Sequence, residues 1–332
     1  MTCTPSNAAR SFSSGRRRLG ALLAVPALSL AACGESGGDA GADFPDDTIT
    51  MITAFAAGGA NDSLARLLTE HAEDVDGDFD FVVENIDGGS GSVGQAQGAQ
   101  AEPDGHTLTL ITPSIITNPM FNNVPYEHGD FEPVILLNSE PHVLLVGEDA
   151  PFDDWESFVN YAEDNPGEVS IGTSGAETTT AFTSRDLADA AGIETTTVPH
   201  DGTADALIQA QGGHIDGVVA GGTTEAASAI EDGSLTPILV FADDRLDQLP
   251  DVPTAAEHDV DAMHSSWRGV AAPAGTPEEV IERLHDIFSE TLESDEYVEA
   301  VDNLNLAVDY MGPDDFQQLI DETYETYAEY AE

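Results

Sequence analysis

The sequence predicts an α/β protein built as two lobes. Short apolar strands alternate with glycine-rich turns and helices from Thr48 to Phe241, which is the rhythm of parallel α/β units. The body that follows the N-terminal leader is longer than one core holds comfortably, and such chains divide into lobes or domains. Toward the end the pattern changes to two amphipathic helices, Pro277–Leu292 and Pro313–Ala331.

The elements follow in order. Thr48–Phe55 reads as a strand and Ala56–Asp62 as a turn; Ser63–Glu73 is a helix with Leu64, Leu67 and Leu68 on one face. Phe79–Val83 is a second strand. It runs into Asp87-Gly88-Gly89-Ser90-Gly91-Ser92 and a small-residue helix, Val93–Ala101. His106–Ile111 is a third strand, and Val134–Leu137 and His142–Val146 are apolar segments. The rhythm then repeats. Asp154–Asp164 is a helix with Trp155, Phe158 and Tyr161 as its core face. Val169–Ile171 is a strand leading through Gly172-Thr173-Ser174-Gly175 into a helix that ends at Ala191. Thr195–Val198 is a strand, Pro199–Gly202 a turn, and a helix runs to Gln211. Gly217–Val219 and Leu235–Phe241 are strands flanking the helix Glu225–Glu231. No internal sequence repeat is visible.

The N-terminus carries an export signal. Arg16-Arg17-Arg18 precede the apolar run Leu19–Ala32, the charged and apolar regions of a secretory leader. The run falls short of the ~20 apolar residues of a membrane span. It ends in Leu30-Ala31-Ala32-Cys33, which looks like a lipobox with Cys33 as the lipidated first residue of the mature chain. A plain signal peptide with an incidental Cys33 is the alternative, and the paired arginines also resemble a twin-arginine signal. Residues 1–32 are thus expected to be removed and residues 33–45 to be a tether, of which the ten glycine- and acid-rich residues Gly34–Asp43 alone have a reach of roughly 17 Å.

Charge and cysteine content exclude whole classes of function. The chain has 63 acidic residues, nine Arg and no Lys, a formal net charge of −54. Four Arg and no acid precede Cys33, so cleavage there makes the charge −58. Repulsion argues against nucleic acid and anionic membrane surfaces as binding partners. An acidic surface without lysine suits high salt, where screening removes self-repulsion. Cys3 lies in the leader and Cys33 at its end, so the body holds no disulfide, zinc cluster or cysteine nucleophile. No metal site and no cofactor is expected: the histidines are scattered, and Asp74–Asp80 departs from the calcium-loop pattern at the required glycine and final acid.

Two glycine turns imitate enzyme motifs. Gly89-Ser90-Gly91-Ser92-Val93-Gly94 fits G-x-G-x-x-G, but the next strand ends in Thr112-Pro113-Ser114 instead of the acid a dinucleotide site needs. The local physics survives: N–H groups at a helix N-terminus attract an anion, and glycine permits close approach. Gly172-Thr173-Ser174-Gly175-Ala176 nearly matches a nucleophile elbow, with alanine for the last glycine and no oxyanion segment before it. A lipid-anchored hydrolase using Ser174 is the enzymatic alternative.

Taken together the turns resemble a family. Phe55–Arg66, Val82–Asn85 with Gly88–Gly94, Pro103–Leu108, Asn118-Pro119, Asn165-Pro166-Gly167, Gly172–Gly175, Val198-Pro199 with Gly202, Leu249–Thr254, Trp267 and Ala272–Pro277 occur in the order seen in substrate-binding proteins of tripartite tricarboxylate transporters, the Bug receptors. The likeness covers nearly all of residues 46–330. It implies a type II periplasmic-binding-protein fold of two mixed α/β lobes joined by two crossover strands, near His142–Val146 and His264–Val270. Lobe 1 is then residues 46–143 with 268–332, and lobe 2 residues 144–267. It implies a monomeric receptor, not an enzyme, that captures a mono-, di- or tricarboxylate in the cleft for two membrane subunits; a sensing role is the alternative to uptake. Carried over by position, the ligand residues are Ala57, Gly58, Gly59 and Asp62, then Ser90, Gly91 and Ser92, with Thr112 and Ser114 as walls. The second lobe contributes Thr173, Ser174, Gly175, Thr178, His200 and Gly202. The chain departs from the family in its first loop, which lacks a proline, and at His200-Asp201-Gly202, which stands where Tyr-Lys-Gly is usual. Arg268, beside Trp267, is read as a surface ion pair, with a ligand clamp as the alternative.

Overall fold

A computed structural model describes residues 44–331 except Asp261, Met263, Asn305, Ala307 and Glu329. Cys33 and most of the expected tether lie outside the described residues. The chain opens with β1 (Ile49–Thr53), α1 (Ala60–Val75), β2 (Phe81–Asn85), α2 (Ser92–Ala99), β3 (Thr107–Ile111), α3 (Ser114–Phe121) and β4 (Phe131–Pro141). It continues with β5 (Val143–Gly147), α4 (Trp155–Asp164), β6 (Val169–Thr173), α5 (Thr179–Ala191), β7 (Thr195–Pro199), α6 (Thr203–Gln211), β8 (Gly217–Ala220), α7 (Thr223–Glu231) and β9 (Leu235–Val240). It ends with β10 (Ser265–Pro273), α8 (Glu278–Glu293), α9 (Asp295–Asp302) and α10 (Pro313–Ala328).

The strands form two mixed five-stranded sheets. The first has the order β2-β1-β3-β10-β4 and the second β7-β6-β8-β5-β9. In the first, β1 runs parallel to β2 and β3 while β10 is antiparallel to both of its neighbours. In the second, β6 runs parallel to β7 and β8 while β5 is antiparallel to β8 and β9. The two sheets therefore share one topology although no sequence repeat signals it. In each, the antiparallel strand is the one that arrives from the other sheet. The chain crosses once at His142, between β4 and β5, and returns before β10. The crossings touch, with the His142 N–H donating to the His264 carbonyl at 3.3 Å.

Burial explains why these segments take these shapes. Every residue of β5 is buried, as expected of a strand covered on both faces. Its alternate residues feed different clusters: Leu144 and Val146 pack with Phe158, Ile171 and Leu239 on one face. Val143 and Leu145 pack with Ala206, Val218 and Val240 on the other. The edge strand β2 instead alternates exposed and half-buried positions. In the first lobe, Leu64 and Leu68 of α1 close on Ile49, Met51 and Leu108, with Leu284 and Phe288 of α8 beside them. Local signals set the helix starts. Asp154 accepts from the Ser157 N–H at 2.7 Å ahead of α4, and Ser294 accepts from the Tyr297 N–H at 3.3 Å ahead of α9, both side-chain caps.

Two helices were not anticipated. α3 contains Pro119, a residue that argues against helix from sequence; near the end of a two-turn helix it sacrifices little. α9 follows α8 across Ser294 alone.

Candidate functional site

The turns after the parallel strands gather at the carboxyl ends of the two sheets, where α/β proteins place their ligands. The ligand residues expected from the resemblance lie at these turns. Ala57, Gly58, Gly59 and Asp62 belong to the β1–α1 junction; Ser90, Gly91 and Ser92 to β2–α2; Thr112 and Ser114 to β3–α3. Thr173, Ser174, Gly175 and Thr178 form the β6–α5 junction, and His200 and Gly202 the β7–α6 junction. The Gly221-Gly222 turn between β8 and α7 stands at the same edge and was not anticipated.

Asp62 shapes the first loop from inside. It is 4% exposed. One carboxylate oxygen accepts from the Gly58 N–H at 2.8 Å, and the other from Asn85 Nδ2 and Arg66 Nη2, both at 2.9 Å. Burial alone would raise its pKa. The hydrogen bonds from Arg66, Gly58 and Asn85 and the Arg66 charge outweigh that and hold it below the ordinary value. Asp62 thus presents no open carboxylate, and the Gly58 N–H is taken within the loop. Asn85 completes the arrangement by donating to Thr53 Oγ1 and the Phe55 carbonyl, at 2.6 and 3.2 Å.

The second loop is strained and buttressed. Ser90 has a left-handed backbone, φ 55°, which costs a residue with a Cβ ~1–2 kcal/mol. Asn118 Nδ2 holds its carbonyl at 3.1 Å. Asn118 also donates to Gln95 Oε1, which takes a second hydrogen bond from Tyr126 Oη at 2.6 Å. Gln95 Nε2 donates to Ser114 Oγ, itself 2.7 Å from Thr112 Oγ1. Burial pushes the Tyr126 phenol up to about 12, against the lowering effect of Asn118, so it stays a donor. Gln95, Asn118 and Tyr126 therefore set the wall residues and the Ser90 turn together. The G-x-G-x-x-G spacing has a packing cause as well: a Cβ on Gly94 would lie 2.6 Å from the Ile86 carbonyl oxygen and 2.8 Å from Ala54 Cα. The N–H groups of Gly89 and Ser90 precede the first internal hydrogen bond of the turn, from Gly91 to the Gly88 carbonyl, and such leading N–H groups suit an anion.

The second lobe offers hydroxyls. Ser174 Oγ lies 2.9 Å from Thr180 Oγ1 and 3.3 Å from Thr178 Oγ1, and the Ser174 N–H donates to Thr180 Oγ1 at 3.0 Å. The partners of Ser174 are threonines, not the imidazole a nucleophile requires. Thr173 Oγ1 turns back to the Gly175 carbonyl at 2.8 Å. The His200 N–H donates to the Thr173 carbonyl, tying the two turns together, while its Nδ1 is buried with no partner among the described residues.

Arg268 overturns the surface reading. It is 5% exposed, and its guanidinium donates to Asn61 Oδ1 at 3.0 Å, Asn138 Oδ1 at 2.7 Å and Glu140 Oε2 at 3.1 Å. A β-strand position beside a tryptophan does not reveal partners this distant in the chain. Two concavities of about 580 and 510 Å³ open elsewhere, one beside Gln97 and Gln100, the other beside Trp155 and Pro253. Neither is lined by the turn residues.

Known proteins resemble this chain in sequence and shape. The family model for the tripartite tricarboxylate transporter family receptor matches residues 64–329. A protein from the tcbD-tcbE intergenic region of Pseudomonas sp. (strain P51) is 32% identical over 269 residues, covering 79% of each chain. An R. palustris protein solved with adipate superposes with a TM-score of 0.76 at 27% identity, covering 87% of this chain and 98% of that one. MatC from Rhodopseudomonas palustris with bound malate gives a TM-score of 0.73 at 28% identity, covering 87% and 100%.

Proposed function

We propose, from the premise that this chain belongs to the tripartite tricarboxylate transporter receptor family, that it captures a small carboxylate between its lobes and passes it to two membrane subunits of a transporter. Members of the family are solute-binding receptors, not enzymes. The observation that carries the reading is the Gly88–Ser92 turn, whose strained Ser90 backbone is fixed by Asn118 at the N-terminus of α2. Backbone N–H groups and the helix dipole there favour a carboxylate.

Charge supports the same reading. Each of the five Arg that follow Cys33 already donates to an acceptor within the protein. In a chain with net charge −54, peptide dipoles are then the main local attraction for an anion. The adipate and malate of the structural neighbours are the chemistry such a turn would hold. The ligand contacts we assign are Ala57, Gly59, Ser90 and Ser92 on one side and Ser174, Thr178, His200 and Gly202 on the other; the Gly91 N–H is taken by the Gly88 carbonyl.

Thermal unfolding of the protein in high salt, with a panel of mono-, di- and tricarboxylates, tests this. A ligand at a hundred times its Kd stabilises by about 2.7 kcal/mol and raises Tm by several degrees. If no carboxylate moves Tm and calorimetry shows no heat of binding, the receptor reading is wrong. Cys33 is the proposed lipid attachment point; incorporation of labelled fatty acid that survives in a Cys33→Ala variant would refute that assignment.

A further inference from the structure

Glu140 and Arg268 form a buried pair that joins both lobes at the base of the proposed site. Arg268 stands on β10 next to Gly269, which pairs with Ile111 of β3, so it lies alongside Thr112. Its Nε reaches Asn61, the residue before Asp62. Its Nη1 contacts Asn138 and Glu140, leaving Nη2 with no partner among the described residues. Glu140 is 6% exposed. Its second oxygen, Oε1, accepts from Thr224 Oγ1 at 2.6 Å and the Thr224 N–H at 3.3 Å, at the first turn of α7 in the other lobe. The fit is close: a Cβ on Gly222 would lie 2.7 Å from the Glu140 carboxyl carbon.

A carboxylate of the first lobe thus already sits at a helix N-terminus of the second. It fills one anion position and offsets the charge of Arg268. What remains open is the Nη2 group, with its two N–H donors, in a locally neutral setting. Such a donor rewards any oxygen acceptor, and without an unbalanced positive charge it draws a carboxylate little more than a hydroxyl.

We infer that the Arg268–Glu140 pair selects the far end of the ligand, favouring a carboxylate that carries a second oxygen-bearing group, hydroxyl, keto or carboxylate, over an alkanoate. The inference rests on the receptor reading above.

The test is calorimetry on succinate and adipate, each with its ω-hydroxy and alkanoate counterparts. Wild-type protein, Glu140→Gln, Arg268→Gln and the double variant are compared, with circular dichroism as the control for folding. In the wild type the diacid and hydroxy acid bind within about tenfold of each other, and the alkanoate at least ~10-fold more weakly, the range of a hydrogen bond to a charged group. Glu140→Gln exposes the cation and raises the diacid-to-hydroxy-acid ratio about tenfold. Arg268→Gln abolishes the discrimination against alkanoates, and the double variant returns the diacid-to-hydroxy-acid ratio toward that of the wild type. Should Arg268→Gln not fold, the isosteric Glu140→Gln carries the test. Carboxylate binding with ratios unchanged in the folded variants overturns this inference alone. Failure of the wild type to bind any carboxylate overturns the receptor reading and this inference with it.

Discussion

Asp62 commits both carboxylate oxygens to its own surroundings, and that makes it more a shaper of the first loop than a reader of ligand. Replacing it with alanine takes the acceptor from the Gly58 N–H and one of three from the Asn85 amide. We expect Asp62→Ala to lower the unfolding free energy by about 1.5–3 kcal/mol, the range of hydrogen bonds to a charged group, and to weaken carboxylate binding as the loop relaxes. Urea denaturation and calorimetry on the same variant check both. Its depressed pKa also has a sign: the stabilisation is present above the unfolded value of 3.8 and fades as pH falls through the folded one. Much of this was hidden in the sequence. An acid in the first helical turn is visible; Asn85 as its partner is not, because the pair forms only when β2 lies beside β1. Arg268 was misread for the same reason, since its contacts with Asn61 and Glu140 span 207 and 128 positions.

At the level of elements, α2 is held where it is by glycine. Gly94 leaves room for a backbone approach that no side chain allows, so Gly94→Ala must push the helix outward. The expected loss is about 1–3 kcal/mol, with ligand affinity falling as Ser90 and Gly91 shift; a Tm unchanged from wild type would contradict the packing. The crossings carry a pH response. His142 is fully buried beside Thr183 Oγ1 at 2.6 Å, with Ser266 and Thr179 hydroxyls within 3.3 Å. Desolvation and the charge of His264 lower its pKa from 6.5 to about 3. The unfolded chain therefore takes up the proton first. Stability is at its plateau above about pH 6.5 and declines toward pH 3, by up to ~1.4 kcal/mol per pH unit. His142→Gln should flatten that decline in urea titrations between those limits, and an unaltered slope would show that other groups cause it. Strand and helix positions were largely legible here, because apolar periodicity and glycine turns are local signals. α3 was not, since Pro119 speaks against helix to any local reading.

For the whole molecule, the net charge of −54 sets a salt dependence. Repulsion among exposed carboxylates reaches ~10 Å at 0.1 M salt and ~3 Å at 1 M. We expect Tm to climb across that interval and level off beyond it; a Tm independent of salt would mean the carboxylates lie too far apart to repel. The two-lobe plan was legible from length and rhythm. The shared strand order of the two sheets was not, because equivalent strands keep only their burial pattern, not their residues.

That shared order has a consequence for how the chain is made. The second sheet is complete once β9 has been synthesised, since β5 to β9 are consecutive. The first sheet must wait for β10, which separates β3 from β4 and ends only at Pro273. During synthesis the later lobe can therefore mature before the earlier one. Until then β3 and β4 stand with unpaired edges that could bind a neighbouring chain. A polypeptide cut short before Ser265 would keep four of the five strands of its first sheet and have no base to its cleft. An assay for partly made chains should find ligand capture appearing late and all at once.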